Sequence, residues 1–485
     1  MARQGGRAHP LRLPDLWPAA GRTARIGRNA PRRSPELPID SPTPRPAGPR
    51  HRYGFYAAAS VVVANMIGTG VFTSLGFQLV DIRSTVPLLL LWVVGGVAAF
   101  CGALSYAELG AAIPRSGGEY TFLSRVYHPG AGFVSGWISA TIGFAAPTAL
   151  AAITFGAYLS SVVPALPERG LALSLVAVLT AVHATTHRKS GLLQSGFTTL
   201  KIVLIVAFCL AALILTPAPQ PVGLAPAPGD AGVVFSGAFA VSLIYVSYAY
   251  TGWNAATYLT SELAEPARSL PRILGGGTAL VMVLYVGLNY AFLRAAPMDA
   301  MEGQVEVGYI AATYIFGPAG ANVMGVTLAL LLVSTVSAMI VAGPRVLHVI
   351  GEDYAAFRWF ASLNADGIPV RAVVTQGVLA ALFIVTGSFE QILVFSGFVL
   401  GLNSLLTVAG VFVFRLREPG ADRPYRTWGW PLTPLVYLGL TLWTLTYLAL
   451  DRPTEAAVAG LLIAAGTALY LIAGRRTPSG NGADA

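Results

Sequence analysis

The chain has 485 residues, of which 55% are apolar and only 11% charged, and a formal charge of +9. Soluble domains carry about 25% charged residues, and here the apolar residues fall in long blocks, which excludes a large soluble core. The excess positive charge follows the loops rather than one patch, so no nucleic-acid partner is expected.

In chain order, residues 1–52 form an Arg- and Pro-rich tail without an apolar stretch that could serve as a signal-peptide core, and the tail reads as disordered. Contact with anionic lipid and a plain solvated tail are both open readings for it. Twelve apolar blocks follow, at 54–78, 86–113, 130–162, 171–185, 191–215, 233–260, 273–293, 317–343, 370–387, 391–414, 431–450 and 455–473. Crossing a bilayer takes about 20 residues, and uninterrupted apolar runs mark helices, whereas barrel strands alternate. The predicted fold class is therefore all-α, a polytopic membrane protein with one transmembrane domain over 53–473 and a short polar tail at 474–485. Cys101 and Cys209 lie inside blocks, without the close spacing of a redox or metal motif, and read as core residues.

With twelve spans and the N-terminus inside, only Arg83, Arg169, Arg294 and Arg452 fall in outer loops, while the tail and inner loops hold nearly all other Lys and Arg residues. This positive-inside bias places both termini in the cytoplasm and the protein in the cell (inner) membrane.

Two spans break the rule that backbone groups in hydrocarbon must stay paired. The first contains Ile67-Gly68-Thr69-Gly70-Val71 near its middle, and the sixth contains Tyr248-Ala249-Tyr250-Thr251-Gly252-Trp253-Asn254. They are five helices apart, which points to two copies of a five-helix unit, about 54–215 and 233–414, with two helices added at 431–473. Unwound here, the amides around Thr69, Gly70 and Val71 would hold a carboxylate, and the carbonyls of Ile67, Tyr248 and Ala249 an ammonium, together a site for a zwitterion. Close helix packing is the other reading of such glycines. Trp253 either lines the pocket or packs as an ordinary aromatic.

Lys201 lies within the fifth span, where a charge is costly and is a functional candidate by default; snorkelling to the inner surface is the alternative. Spans three, six, eight and ten lack Asp or Glu at mid-depth, and Ile142 to Pro147 in span three are small or apolar. A second positive charge on the substrate would need a buried partner, so the sequence favours a neutral one. His183 and His187 have a two-ligand spacing but lack the adjacent glutamate of a metalloprotease helix, and no metal site is expected. No phosphate loop, nucleophile–base pair or cofactor motif is present, so the chain is not read as an enzyme.

The run Ile67-Gly68-Thr69-Gly70-Val71-Phe72 resembles the first-helix signature of the amino acid/polyamine/organocation permeases. Gly102 to Gly110, followed by Ile113-Pro114-Arg115-Ser116-Gly117-Gly118-Glu119-Tyr120, resembles that family's second helix and first inner loop, and further matches to the family are Gly252-Trp253-Asn254, Gly343-Pro344-Arg345 ending span eight and Arg423-Pro424-Tyr425-Arg426 before span eleven. Within the family the sequence is most similar to the neutral, L-type-related branch, from which it departs at Tyr248 and Thr251.

The resemblance implies a five-plus-five inverted repeat of the leucine-transporter type and alternating access around a midplane site. It also implies that the Lys201 ammonium replaces a coupling sodium ion, facing carbonyls of the first break and the hydroxyls of Ser334 or Thr335, which opens proton coupling. Glu108 and Glu119 would form an inner gate with Arg115, Arg268 or Arg345, or else cap the cytoplasmic helix ends. The expected function is secondary transport of an amino acid, as proton symporter or exchanger. The alternatives are an amino acid sensor using the same pocket and a polyamine or cationic amino acid antiporter.

Overall fold

The computed structural model describes residues 54–185, 191–263 and 265–473. The two tails and His187 lie outside the described residues. The first interrupted span is α1 (Phe55–Met66) followed by α2 (Gly70–Asp81), and α3 (Thr85–Ala112) returns across the full depth. At 28 residues and about 1.5 Å per residue, α3 is long enough to span a bilayer, so its two ends mark opposite faces. It ends at Ile113, before Pro114, which disfavours continuation of the helix. Next come α4 (Glu119–Val126), α5 (Pro129–Ile138) and α6 (Ala145–Val162), the last two joined by one π-helical turn over Ser139–Gly143. That turn sits inside what the sequence presents as one continuous span. Then follow α7 (Glu168–Thr185), α8 (Gly191–Ile214), the short α9 (Asp230–Val234) and α10 (Gly237–Ala249).

Beyond α10 the chain makes a turn and a 3-10 segment over Ala255–Glu262 before α11 (Pro266–Ala295), which opens on a proline in the first turn. A four-residue α12 (Met298–Met301) leads to α13 (Val307–Asp353). This is two helices merged across Gly317, whose φ of 74° is non-helical, so the eighth span begins at the boundary its apolar block predicts. After a 3-10 segment at Ala355–Ala361 come α14 (Val370–Thr386), α15 (Phe389–Arg417), α16 (Leu432–Asp451) and α17 (Pro453–Ala473). A reciprocal capping box between Ser388 and Gln391 starts α15.

The chain is all-α among the described residues. Among the described residues nine helical stretches are long and apolar enough to cross a membrane, taking α1 with α2 and α5 with α6. Of the twelve predicted spans, the other three correspond to shorter or less apolar helices: α10 and α14 are apolar but short, and α7 carries Glu168, Arg169 and His183 near its ends. Large apolar side chains such as Val203, Leu210, Val283, Val323, Leu330, Leu382 and Leu461 point outward, which water would penalise and lipid tails accept. Inside, α3 lies along α11 and α6 along α13, and these pairs flank the interrupted helices.

Candidate functional site

The two interruptions meet. A Cβ added to Gly70 would stand 2.5 Å from the Ala249 Cα, and one added to Gly252 would stand 2.8 Å from the Asn65 backbone, where Gly252 also holds φ at 100°. Glycine is required at both places, since no side chain fits the contact and the positive φ strains other residues. At the first break Ile67 leaves helical geometry at ψ 77°, the Gly68 amide turns back to the Met66 carbonyl at 2.7 Å, and α2 restarts after Thr69. At the second, Thr251 closes the turn, its amide and hydroxyl donating to the Tyr248 carbonyl at 2.9 and 2.7 Å.

Lys201 is buried and its ammonium donates to the Ile67 carbonyl and to the Thr335 hydroxyl, each at 2.9 Å. Among the described residues no carboxylate lies within ion-pair distance of it. The side chain therefore turns into the bundle at the first break instead of reaching for the surface. Ser334 is elsewhere engaged, donating to Leu331 of its own helix at 2.7 Å. A small cavity opens at this point, with Ile67, Gly68, Phe72, Lys201, Leu328 and Thr335 in its wall. Tyr248, Ala249 and Trp253 are buried but do not line it; Trp253 packs edge-on to Tyr106 at 4.6 Å.

Tyr285 of α11 carries no signal in the sequence. It is fully buried, and its hydroxyl lies 2.5 Å from the Met66 carbonyl and 3.2 Å from the Ala249 carbonyl, the last helical residues on the near sides of both breaks. Of the three carbonyls expected to receive an ammonium, Ile67 is thus taken by Lys201, Tyr248 by Thr251, and Ala249 is shared with Tyr285. An aromatic residue in an apolar helix gives no sign of this; only the fold aims its hydroxyl.

At the far end of α3 the two buried glutamates differ. Glu108 receives two bonds from Arg415 and two from Thr427, all at 2.7 Å, and the Arg415 guanidinium carbon sits over the Trp430 ring, 3.7 Å from its centroid. Its partner is not Arg115, Arg268 or Arg345: Arg115 and Arg345 are exposed, and Arg268 faces Glu265. Glu119 accepts from the hydroxyls of Tyr106 and Tyr258 and from the Asn254 amide, with no cation among the described residues in ion-pair range. It therefore ties the segment after the second break to α3 and α4. At the opposite end Phe77, Tyr245 and Phe389 stack, with ring centroids 5.7 and 5.6 Å apart, and the Tyr245 hydroxyl donates to Glu390, which is paired with Arg452. His183 bonds Ser337 at 2.8 Å, and no group of three or more metal-ligating side chains occurs among the described residues.

The profile of the family described as Amino acid permease matches residues 53–470, nearly the whole of this membrane domain. The chain belongs to the amino acid permease family. This permease is 25% identical over 414 residues to the "b(0,+)-type amino acid transporter 1" of Oryctolagus cuniculus, covering 83% of this chain and 84% of that protein. The human protein of that name is 24% identical over 402 residues, covering 81% and 82%. This permease is also 27% identical over 434 residues to the "Large neutral amino acids transporter small subunit 2" of Mus musculus, covering 86% and 80%. The family is one of transporters, not of catalysts, so this permease moves amino acids across a membrane in which it is a multi-pass protein. The relatives carry the names of more than one type of amino acid transporter.

Proposed function

We propose that this permease is an amino acid exchanger that takes cationic side chains beside neutral ones, through alternating access of its two broken spans. In this reading α7, α10 and α14 complete twelve spans, the first ten form a five-plus-five inverted repeat of the leucine-transporter type, and α16 and α17 are added to it. Both termini are cytoplasmic and the membrane is the cell membrane. The amides after the first break, at Thr69, Gly70 and Val71, receive the substrate carboxylate. The ammonium is received near Ala249.

The observation that carries exchange is the seat of Lys201. A cation already holds the Ile67 carbonyl at the break, in the place the family resemblance gives to a coupling sodium ion, so turnover needs no sodium ion to be bound and released. The sequence alone favours neutral substrates, with cationic ones as the alternative. That order reverses because the relatives include a protein whose type label carries both a zero and a plus. Glu119 supports the reversal, as a buried carboxylate near the second break that no protein cation among the described residues neutralises.

A permease restricted to neutral amino acids is the second reading, favoured by the lack of Asp and Glu in the π turn and by Thr251, whose hydroxyl serves its own backbone. Counterflow decides between them. Proteoliposomes are loaded with unlabelled leucine, arginine or nothing, and labelled leucine or arginine is supplied outside. The proposal predicts uptake of both labels, and only into loaded vesicles. Uptake of leucine alone would give the neutral reading, uptake into empty vesicles would give symport, and binding without flux would give the sensor.

A further inference from the structure

The hydroxyl of Tyr285 has one hydrogen and faces two carbonyls. Each carbonyl ends a half-helix, where the helix dipole leaves partial negative charge. A hydroxyl donates a single bond, so it serves Met66 at 2.5 Å and leaves Ala249, at 3.2 Å, the poorer share. Met66 also receives the Gly68 amide, whereas the hydroxyl is the donor that reaches Ala249. The acceptor residue is itself buried, as is the ring, which packs between Trp92 and Tyr250 at 5.6 and 5.0 Å between centroids. A buried acceptor left short of a donor costs about 1–3 kcal/mol.

We propose that Tyr285 is a positioning residue that couples the two breaks: the substrate ammonium completes Ala249, and the hydroxyl then commits wholly to Met66. Occupancy of the second break is thereby transmitted to the geometry of the first, which presents the amides that hold the substrate carboxylate. The ligand class this recognises is a primary ammonium borne next to a carboxylate. The inference rests on the transport site lying at the breaks, and extends it to a residue that need not touch the substrate.

Tyr127 supplies the control. Its hydroxyl also donates to a main-chain carbonyl of another helix, that of Leu406 in α15, at 2.9 Å, and neither residue belongs to a break. The full-length permease and its Tyr285→Phe and Tyr127→Phe variants are reconstituted, and flux and equilibrium binding of leucine are measured in both net-uptake and counterflow modes. Tyr285→Phe is expected to keep its binding constant within threefold while maximal flux falls at least tenfold; Tyr127→Phe is expected to lose no more than twofold in either. Equal losses in both variants, or full flux in Tyr285→Phe, would overturn the proposal.

Hydrogen exchange of the wild type supplies a second test should Tyr285→Phe not fold. Leucine is expected to slow exchange at residues 66–72 and 249–254 together, with the same midpoint concentration. A response confined to one segment would overturn the coupling. A wild type active only in net uptake would overturn exchange instead, while leaving the comparison of the two tyrosine variants intact.

Discussion

The first interruption is three residues long and is held from outside by two distant helices, through Lys201 and Tyr285. The second runs from Tyr250 to Glu262 through a turn and a 3-10 segment, and is held largely by its own hydroxyls and by one carboxylate, Glu119. A short break pinned by a charge is a fixed hinge. A long one, whose own hydroxyl bonds contribute only about 1 kcal/mol each, can rearrange at smaller cost once its one carboxylate lets go. In the proposed exchanger the first break anchors the carboxylate, and the second, which receives the ammonium, supplies the movement.

The largest expected effect falls on the hinge. Lys201→Ala leaves the Ile67 carbonyl and the Thr335 hydroxyl without their buried donor, and loss of flux by at least about tenfold is expected, one factor of ten for each 1.4 kcal/mol, read by counterflow with normal surface expression. Flux within twofold of wild type would mean that the charge is a packing accident.

On the movable side, Glu119→Gln replaces charged acceptors by a neutral one and should weaken the tie by about 1 kcal/mol. Arginine counterflow is expected to fall about fivefold, by the same arithmetic, with leucine counterflow changed less. An equal fall for both substrates would make Glu119 a structural cap. Thr251→Val removes one hydroxyl bond to the Tyr248 carbonyl, and a change of about two- to threefold in maximal flux is expected. The smallest effect belongs to the opposite face, where the Glu390–Arg452 pair is about a third exposed. There Glu390→Gln should alter flux by less than twofold, and the difference should vanish in high salt because exposed pairs are screened. A large, salt-independent loss would instead make the aromatic stack at Tyr245 as decisive as the breaks.

Both interruptions are legible in the sequence because glycines and polar residues at mid-depth weaken a helix that hydrocarbon would otherwise keep whole, and Lys201 is legible because charge in hydrocarbon is costly. The π turn at Ser139–Gly143 is not, since Ser-Ala-Thr-Ile-Gly is ordinary in a membrane helix. Nor is the pairing of Glu108 with Arg415, 307 residues away: the charges are visible, but which of several arginines reaches a given carboxylate is decided by how α3 packs against α15. Tyr285 is the most hidden of all. Its role depends on one hydroxyl meeting two carbonyls that exist as acceptors only because the helices are broken.

The most direct test of a pinned first break in an exchanger is leucine counterflow in vesicles of wild type and Lys201→Ala, with and without an imposed pH gradient and with sodium or choline as the external cation. The account predicts that wild-type flux needs internal amino acid and ignores both gradients, and that the variant is nearly inactive under every condition. Accumulation driven by the pH gradient into empty vesicles, abolished in the variant, would contradict it and make Lys201 part of a proton-coupled symporter.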